Sequence, residues 1–254
     1  MPAEPHAPTE TAAPAHAERP SRPVVVGHRG APVHAPENTL GGFRRALEDG
    51  AQLLECDVHL SADGHVMVMH DESIDRTADP ASPLRTGALG DLTRAELGRV
   101  LLADGERIPT LEELLEMTTV PVFIEVKVAP AAQAVAAILR DLPTGSPAAR
   151  STVISFHPEA LAEIRRATDA PVSYLVRQVD ERALETAREL DAAGIGPWIG
   201  GLSLRAAESA RAAGLAVNPW TINSPQELAV ARACGVDTIT TDDPAWVLGA
   251  LGAA

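Results

Sequence analysis

The chain has 254 residues, 45% of them hydrophobic, and a formal net charge of −14. That is the size and apolar content of one ordinary globular domain. The charge excludes a nucleic-acid binder built on a basic face, and no window approaches the roughly 18 consecutive apolar residues of a membrane span.

Residues 1–22 are Pro, Ala, Glu and His with almost no large apolar side chain. Such a stretch cannot offset its ordering entropy and reads as a disordered tail, without the apolar run of a secretory signal. Residues 23–254 read as one domain. Strand-like and helix-like segments alternate along it: a strand at 24–27, a helix at 39–49, a strand at 53–60 and a shorter one at 65–69. Residues 71–108 are polar, punctuated by Pro80, Pro83, Gly87, Gly90 and Gly105, and read as an insertion after the second strand. Thr110 with Glu113 three residues on makes a capping box. Strands are then expected at 122–128, 152–156, 172–176, 199–204, 215–222 and 238–241, each followed by a helix. Strand starts at Val24, Leu53, Val122, Thr152, Val172, Ile199, Leu215 and Thr238 give eight units over about 230 residues. This is the size and rhythm of an α/β (β/α)8 TIM barrel, preferred here to an open doubly wound sheet.

Titratable residues sit near strand ends, where such a barrel places its chemistry. Glu55 and Asp57, two apart on a strand, point to one face and Cys56 to the other. Two like charges there repel unless something positive lies between them. A divalent cation serves, and oxygen ligands select Mg²⁺, Ca²⁺ or Mn²⁺ over zinc. Glu125 and Lys127 repeat the spacing on the next long strand. They read either as a barrel ion pair, or as a third carboxylate for the metal beside a cation for an anionic ligand. His28 and His70 each end an apolar run at a turn. Two imidazoles flanking a phosphodiester can divide acid and base roles, and Arg29 supplies a fork that fits phosphate oxygens. The other histidines read as structural; His59 shares the inward parity of Glu55 and Asp57, and His157 follows a strand end. Cys56 and Cys234 are too few for a cysteine metal site and too distant to suggest a disulfide; with neither a secretory apolar run nor a membrane span in the sequence, a cytoplasmic location is expected.

His28-Arg29-Gly30, Pro36-Glu37-Asn38-Thr39, Glu55-x-Asp57-Val58, Asp63-Gly64, His70-Asp71 and Arg76-Thr77 occur in that order. Ile108-Pro109-Thr110-Leu111-Glu112-Glu113, Glu125-x-Lys127, Trp220-Thr221-x-Asn223 and Thr241-Asp242-x-Pro244 follow. The series, from Val24 to Pro244, resembles the glycerophosphodiester phosphodiesterase family. The resemblance implies a (β/α)8 barrel with an insertion after the second strand and His28 and His70 as the catalytic pair. It implies Glu55, Asp57 and Glu125 as ligands of one divalent cation, Mg²⁺ or Ca²⁺. Arg29 and Lys127 would hold the phosphate, and Trp220 would line the apolar side of a small-molecule glycerophosphodiester pocket. Ser61 stands where the family more often has Thr, and Ala78 where it has a second Thr; neither touches a catalytic position. The implied reaction releases glycerol 3-phosphate and an alcohol such as choline or ethanolamine. Two other readings are a phospholipase D-type hydrolase of lysophospholipids on the same site and a non-catalytic anion-binding barrel. The absence of a signal sequence and the few aromatic side chains weigh against the first, and the complete histidine and carboxylate set against the second.

Overall fold

A computed structural model describes residues 22–252. The tail expected over 1–22 lies, apart from Arg22, outside the described residues. In chain order the elements are β1 (Val24–Gly27), α1 (Leu40–Glu48), β2 (Leu53–Leu60), β3 (Val66–Val68), α2 (Arg94–Leu97), α3 (Leu111–Met117), β4 (Val122–Val126) and α4 (Ala131–Asp141). Then come β5 (Thr152–Ser155), α5 (Pro158–Ala167), β6 (Val172–Val176), α6 (Glu181–Glu189), β7 (Gly194–Pro197), α7 (Leu204–Ala212), β8 (Ala216–Val217), α8 (Pro225–Cys234), β9 (Thr238–Thr241) and α9 (Pro244–Gly252).

Eight parallel strands follow the order β8-β7-β6-β5-β4-β2-β1-β9, and β3 folds back antiparallel on β2. Across the seam between β9 and β8, the Asp237 N–H donates to the Val217 carbonyl at 2.9 Å and the Ile222 N–H to the Thr240 carbonyl at 2.8 Å. The sheet is thus a nearly closed TIM barrel. Strand alternation divides its side chains. Leu54, Cys56 and Val58 of β2 pack outward in a buried cluster with Phe43 of α1 and Leu111 and Leu114 of α3. Val26, Phe123, Ile154 and Leu175 fill part of the interior. Helix starts are fixed by side-chain caps: Thr39, Thr110, Asp180, Ser203 and Ser224 each accept from a backbone N–H in the first turn that follows. The Thr110–Glu113 capping box is present.

The seventh strand lies five residues earlier than expected, at Gly194–Pro197, and Ile199–Gly201 is a 3-10 turn. Gly194, Gly196 and Pro197 carry little β-propensity, so the apolar run after them drew the assignment. The eighth strand, expected at 215–222, is reduced to Ala216–Val217 plus a single bridge between Trp198 and Trp220; Pro219 has no N–H to offer a ladder. Residues 71–108, polar in sequence, bury Ile74, Leu89, Leu97, Val100, Leu102 and Ile108 with Met67 and Met69 in a cluster of their own.

The turn after β1 depends on Gly30. Its φ is +94°, and a Cβ there would come within 2.6 Å of the Gly42 carbonyl carbon in α1. Both the left-handed backbone and the backbone-to-backbone approach bar a side chain. Gly30→Ala is expected to destabilise the protein by roughly 1–3 kcal/mol, read as a lower urea midpoint at unchanged slope; an unaltered midpoint would contradict this account of the turn.

Candidate active site

The C-terminal ends of the strands surround a cavity of about 130 Å³. His28, Arg29, Glu55, His70, Glu125, Lys127 and Trp220 all line it. The expected site residues therefore converge, with Asp57 buried directly behind them at 1% exposure.

Register explains the convergence. Asp57 of β2 is opposite Glu125 of β4, and Glu55 shares the inward parity of Asp57. One ligand atom from each of Glu55, Asp57 and Glu125 lies within 4.8 Å of the others. Lys127 Nζ sits 2.9 Å from Glu125 Oε1 and 3.4 Å from Asp57 Oδ1. The Glu125–Lys127 pair is an ion pair, and Glu125 also lies within the carboxylate cluster. Arg29 Nε lies 3.2 Å from Asp57 Oδ2, to which Asn38 Nδ2 donates at 2.9 Å. Arg29 has a left-handed φ of 52°. That turn aims its backbone N–H at Glu55 Oε2, 2.9 Å away, and strain of this kind gathers where function over-determines geometry.

The electrostatics follow from burial. Desolvation and the Asp57 charge push Glu55 up to about 8. Glu125 is raised for the same two reasons, against the pull of Lys127. Asp57 is lowered, because Lys127 and Arg29 outweigh its desolvation. Three carboxylates with an oxygen each within 4.8 Å of the others, and with the buried Asp57 Oδ1 facing Lys127 without a hydrogen bond, suit a hard cation with oxygen ligands. The cluster can hold a metal ion.

Each histidine stands on a carboxylate. His28 Nδ1 is 2.5 Å from Asp242 Oδ1, and Asn223 Nδ2 donates to Asp242 Oδ2 at 2.7 Å. Burial opposes the imidazolium of His28, but the hydrogen bond to Asp242 and the charge of Glu55 leave its pKa above the ordinary histidine value. His70 Nδ1 is 2.7 Å from Asp71 Oδ1. Arg76 then grips Asp71 at 2.6 Å through Nε and Glu37 at 2.6 Å through Nη2. Glu37 reaches Arg29 Nη1 at 3.3 Å. With Nδ1 committed, each ring keeps Nε2 for proton transfer.

Sequence reasoning gave Asp242, Asn223, Asp71, Arg76 and Glu37 no role of their own. Asp242 had a signal: it follows the last strand, and β1 pairs with β9 so that Gly27 faces Thr241. His59 is buried but turns away, its Nε2 3.1 Å from the His70 carbonyl oxygen. His157 pairs with Glu159 on the surface at 3.3 Å. Trp220 donates from Nε1 to the Gly196 carbonyl at 2.9 Å and meets Phe156 edge-on, centroids 5.4 Å apart, in an apolar wall with Phe123, Ile154 and Leu175.

The model of the glycerophosphoryl diester phosphodiesterase family matches residues 28–246, a span that includes every one of these site residues. The chain belongs to that family. A glycerophosphodiester phosphodiesterase of Caldanaerobacter subterraneus subsp. tengcongensis is 28% identical over 232 residues, 87% of this chain and 94% of the relative. A phosphodiesterase of Oleispira antarctica, solved with the product sn-glycerol-3-phosphate, superposes with a TM-score of 0.83 at 26% identity, covering 91% of this chain and 97% of the other. A glycerophosphodiester phosphodiesterase of Parabacteroides distasonis gives 0.77 at 27% identity over 90% and 96%. This chain is an enzyme of the same class, a phosphoric diester hydrolase. Among its described residues, no helix is long and apolar enough to cross a membrane.

The Arg76 clamp makes a pH prediction. Arg76 chiefly, and then His70, lower Asp71 from 3.8 to about 2. A depressed carboxylate pKa adds stability that is fully present above the unfolded value, and it is lost as pH falls through the folded one. Arg76→Met should therefore cost stability at pH 7, and the gap to the unmodified protein should narrow between about pH 4 and pH 2. Urea unfolding at both ends of that window checks it; an equal gap at both would mean Arg76 acts by packing alone.

Proposed function

We propose that the enzyme hydrolyses glycerophosphodiesters, such as glycerophosphocholine or glycerophosphoethanolamine, to glycerol 3-phosphate and an alcohol. One observation carries the reading: two carboxylate-anchored histidines and a three-carboxylate cluster open into one cavity. The product held by the Oleispira antarctica neighbour supports a substrate of this class.

Charge balance favours a phosphodiester. The cluster of Glu55, Asp57 and Glu125 faces Arg29 and Lys127, which leaves one excess negative charge when all are ionised. A divalent cation turns this into one excess positive charge, which matches the single charge of a phosphodiester. Glu55, Asp57 and Glu125 would hold that ion, Mg²⁺ or Ca²⁺, and when bound it neutralises charge on the phosphate oxygens. Arg29 and Lys127 face the same oxygens and hold the phosphate against the histidines.

In this reading one histidine removes a proton from the attacking group, either water or the glycerol 2-hydroxyl, and the other protonates the departing alcohol oxygen. Asp242 and Asp71 fix the Nδ1–H tautomers, orient the rings and stabilise each imidazolium as it forms. Trp220 covers the apolar face of the substrate. Cys56 and Cys234 are both buried and unpaired, which suits the reducing cytoplasm.

His28→Ala and His70→Ala should each lower kcat by about 10²- to 10⁴-fold or more with the circular dichroism spectrum retained. Near-normal turnover in either would remove that residue from the mechanism. Metal-stripped protein should release no glycerol 3-phosphate until Mg²⁺ or Ca²⁺ is restored. The same ion should raise the thermal midpoint of the apoprotein, since it binds only the folded carboxylate cluster, and Glu125→Gln should blunt that rise. Full activity in excess EDTA would exclude the metal.

A further inference from the structure

The floor of the cavity carries polar groups that the phosphodiester chemistry leaves unused. Ser173 of β6 points inward, is 1% exposed and lines the cavity, yet its Oγ has no hydrogen-bond partner. A buried hydroxyl without a partner is costly and calls for an occupant. Asn218, just beyond β8, accepts from Thr238 Oγ1 at 3.2 Å; no described residue takes up its NH₂ group. Thr240 of β9, 4% exposed, lines the same floor, and its hydroxyl likewise has no partner among the described residues. The Ser173 and Asn218 groups face one spot. A Cβ built on Gly194 would lie 2.7 Å from Asn218 Nδ2 and 3.1 Å from Ser173 Oγ, so glycine at that position leaves room for both side chains to approach each other on the floor.

Depth and charge sort the cavity into two ends. Ser173 precedes Leu175 on a strand that runs toward the mouth, whereas Phe156 is 39% exposed at the rim. Every charged lining group, from His28 to Lys127, belongs to the phosphate end. The floor offers only neutral donors and acceptors, and the apolar Ile154 and Leu175 beside it offer none. An anion gains nothing there. A hydroxyl, which both donates and accepts, satisfies the three groups.

We propose that Ser173, Asn218 and Thr240 form a subsite for the terminal hydroxyl of the substrate's glycerol moiety, so that glycerol enters first and the variable alcohol faces the mouth. The inference rests on the substrate reading above and adds an orientation and a specificity determinant to it. A closed floor suits the half of the molecule common to all glycerophosphodiesters, and the open rim past Phe156 tolerates headgroups of differing size.

The test compares glycerophosphocholine with 2-hydroxypropyl phosphocholine, which lacks only the terminal hydroxyl and keeps the 2-hydroxyl. The unmodified enzyme should prefer the first by roughly tenfold or more in kcat/KM, because the analogue leaves buried polar groups unpaired. In Ser173→Ala that preference should collapse toward unity, mainly through KM. The variant should fold, since the hydroxyl it removes has no protein partner to lose; should it fail to fold, Thr240→Val replaces it with the same expectation. Equal use of both substrates by the unmodified enzyme, or a preference that survives in the variant, overturns the proposal and leaves the floor as a holder of structural water. If neither diester is cleaved, the substrate reading fails on its own account. Calorimetric binding of glycerol 3-phosphate against 2-hydroxypropyl phosphate then decides the subsite: a preference lost in Ser173→Ala supports it, and equal affinities end it.

Discussion

A buried carboxylate at the barrel mouth sets the terms for everything around it. Asp57 is 1% exposed and ionised, so Lys127, Arg29 and Asn38 must all reach it. Burying a charge without partners costs several kcal/mol even after relaxation, of the order that would unfold a marginal domain. Each partner carries a structural demand. Lys127 must follow β4 in register with β2. Arg29 must take a left-handed turn, and that turn needs Gly30 beside α1. Asn38, itself at φ 53°, must lead into the Thr39 cap of that helix. The local backbone from β1 to α1 is shaped by one ion's need for company.

The charges extend outward from there as a chain. Asp57 joins Arg29, Arg29 joins Glu37, Glu37 joins Arg76, and Arg76 joins Asp71, which holds His70. The segment between β3 and α3 therefore does more than cover one side of the barrel. Its own apolar cluster fixes the position of Arg76, and through Asp71 the orientation of a ring in the cavity. His28 is braced from the opposite side by Asp242 and Asn223. The two imidazoles are held by independent supports on different elements, an arrangement that suits the separate proton-transfer duties proposed for them.

Opposite this charged half the cavity is apolar, with Trp220 and Phe156 in a T-shaped contact beside Phe123, Ile154 and Leu175. A ligand with an anionic centre and a carbon skeleton meets both halves at once. Low dielectric on the apolar side strengthens the fields from the charged side, which is where a developing oxyanion benefits.

Much of this was legible in the chain because strand alternation is a local rule. Glu55, Asp57 and Glu125 share a face by parity alone, and His28 and His70 announce themselves at the ends of apolar runs. The helix cap at Thr110 was equally plain. The glycine-rich β7 was displaced and β8 was overlong, because those strands are held by ladder bonds to neighbours and not by side-chain pattern. Partnership between the site residues was settled only in three dimensions. Asp242 stands 214 residues from His28 in sequence and 2.5 Å from it in space, since closure of the barrel brings the last strand beside the first. The same closure sets Ser173, Asn218 and Thr240 around one floor, although nothing in their own segments marks them. The sequence alone determined which residues point inward; contacts across the barrel, being non-local, determined which of them meet.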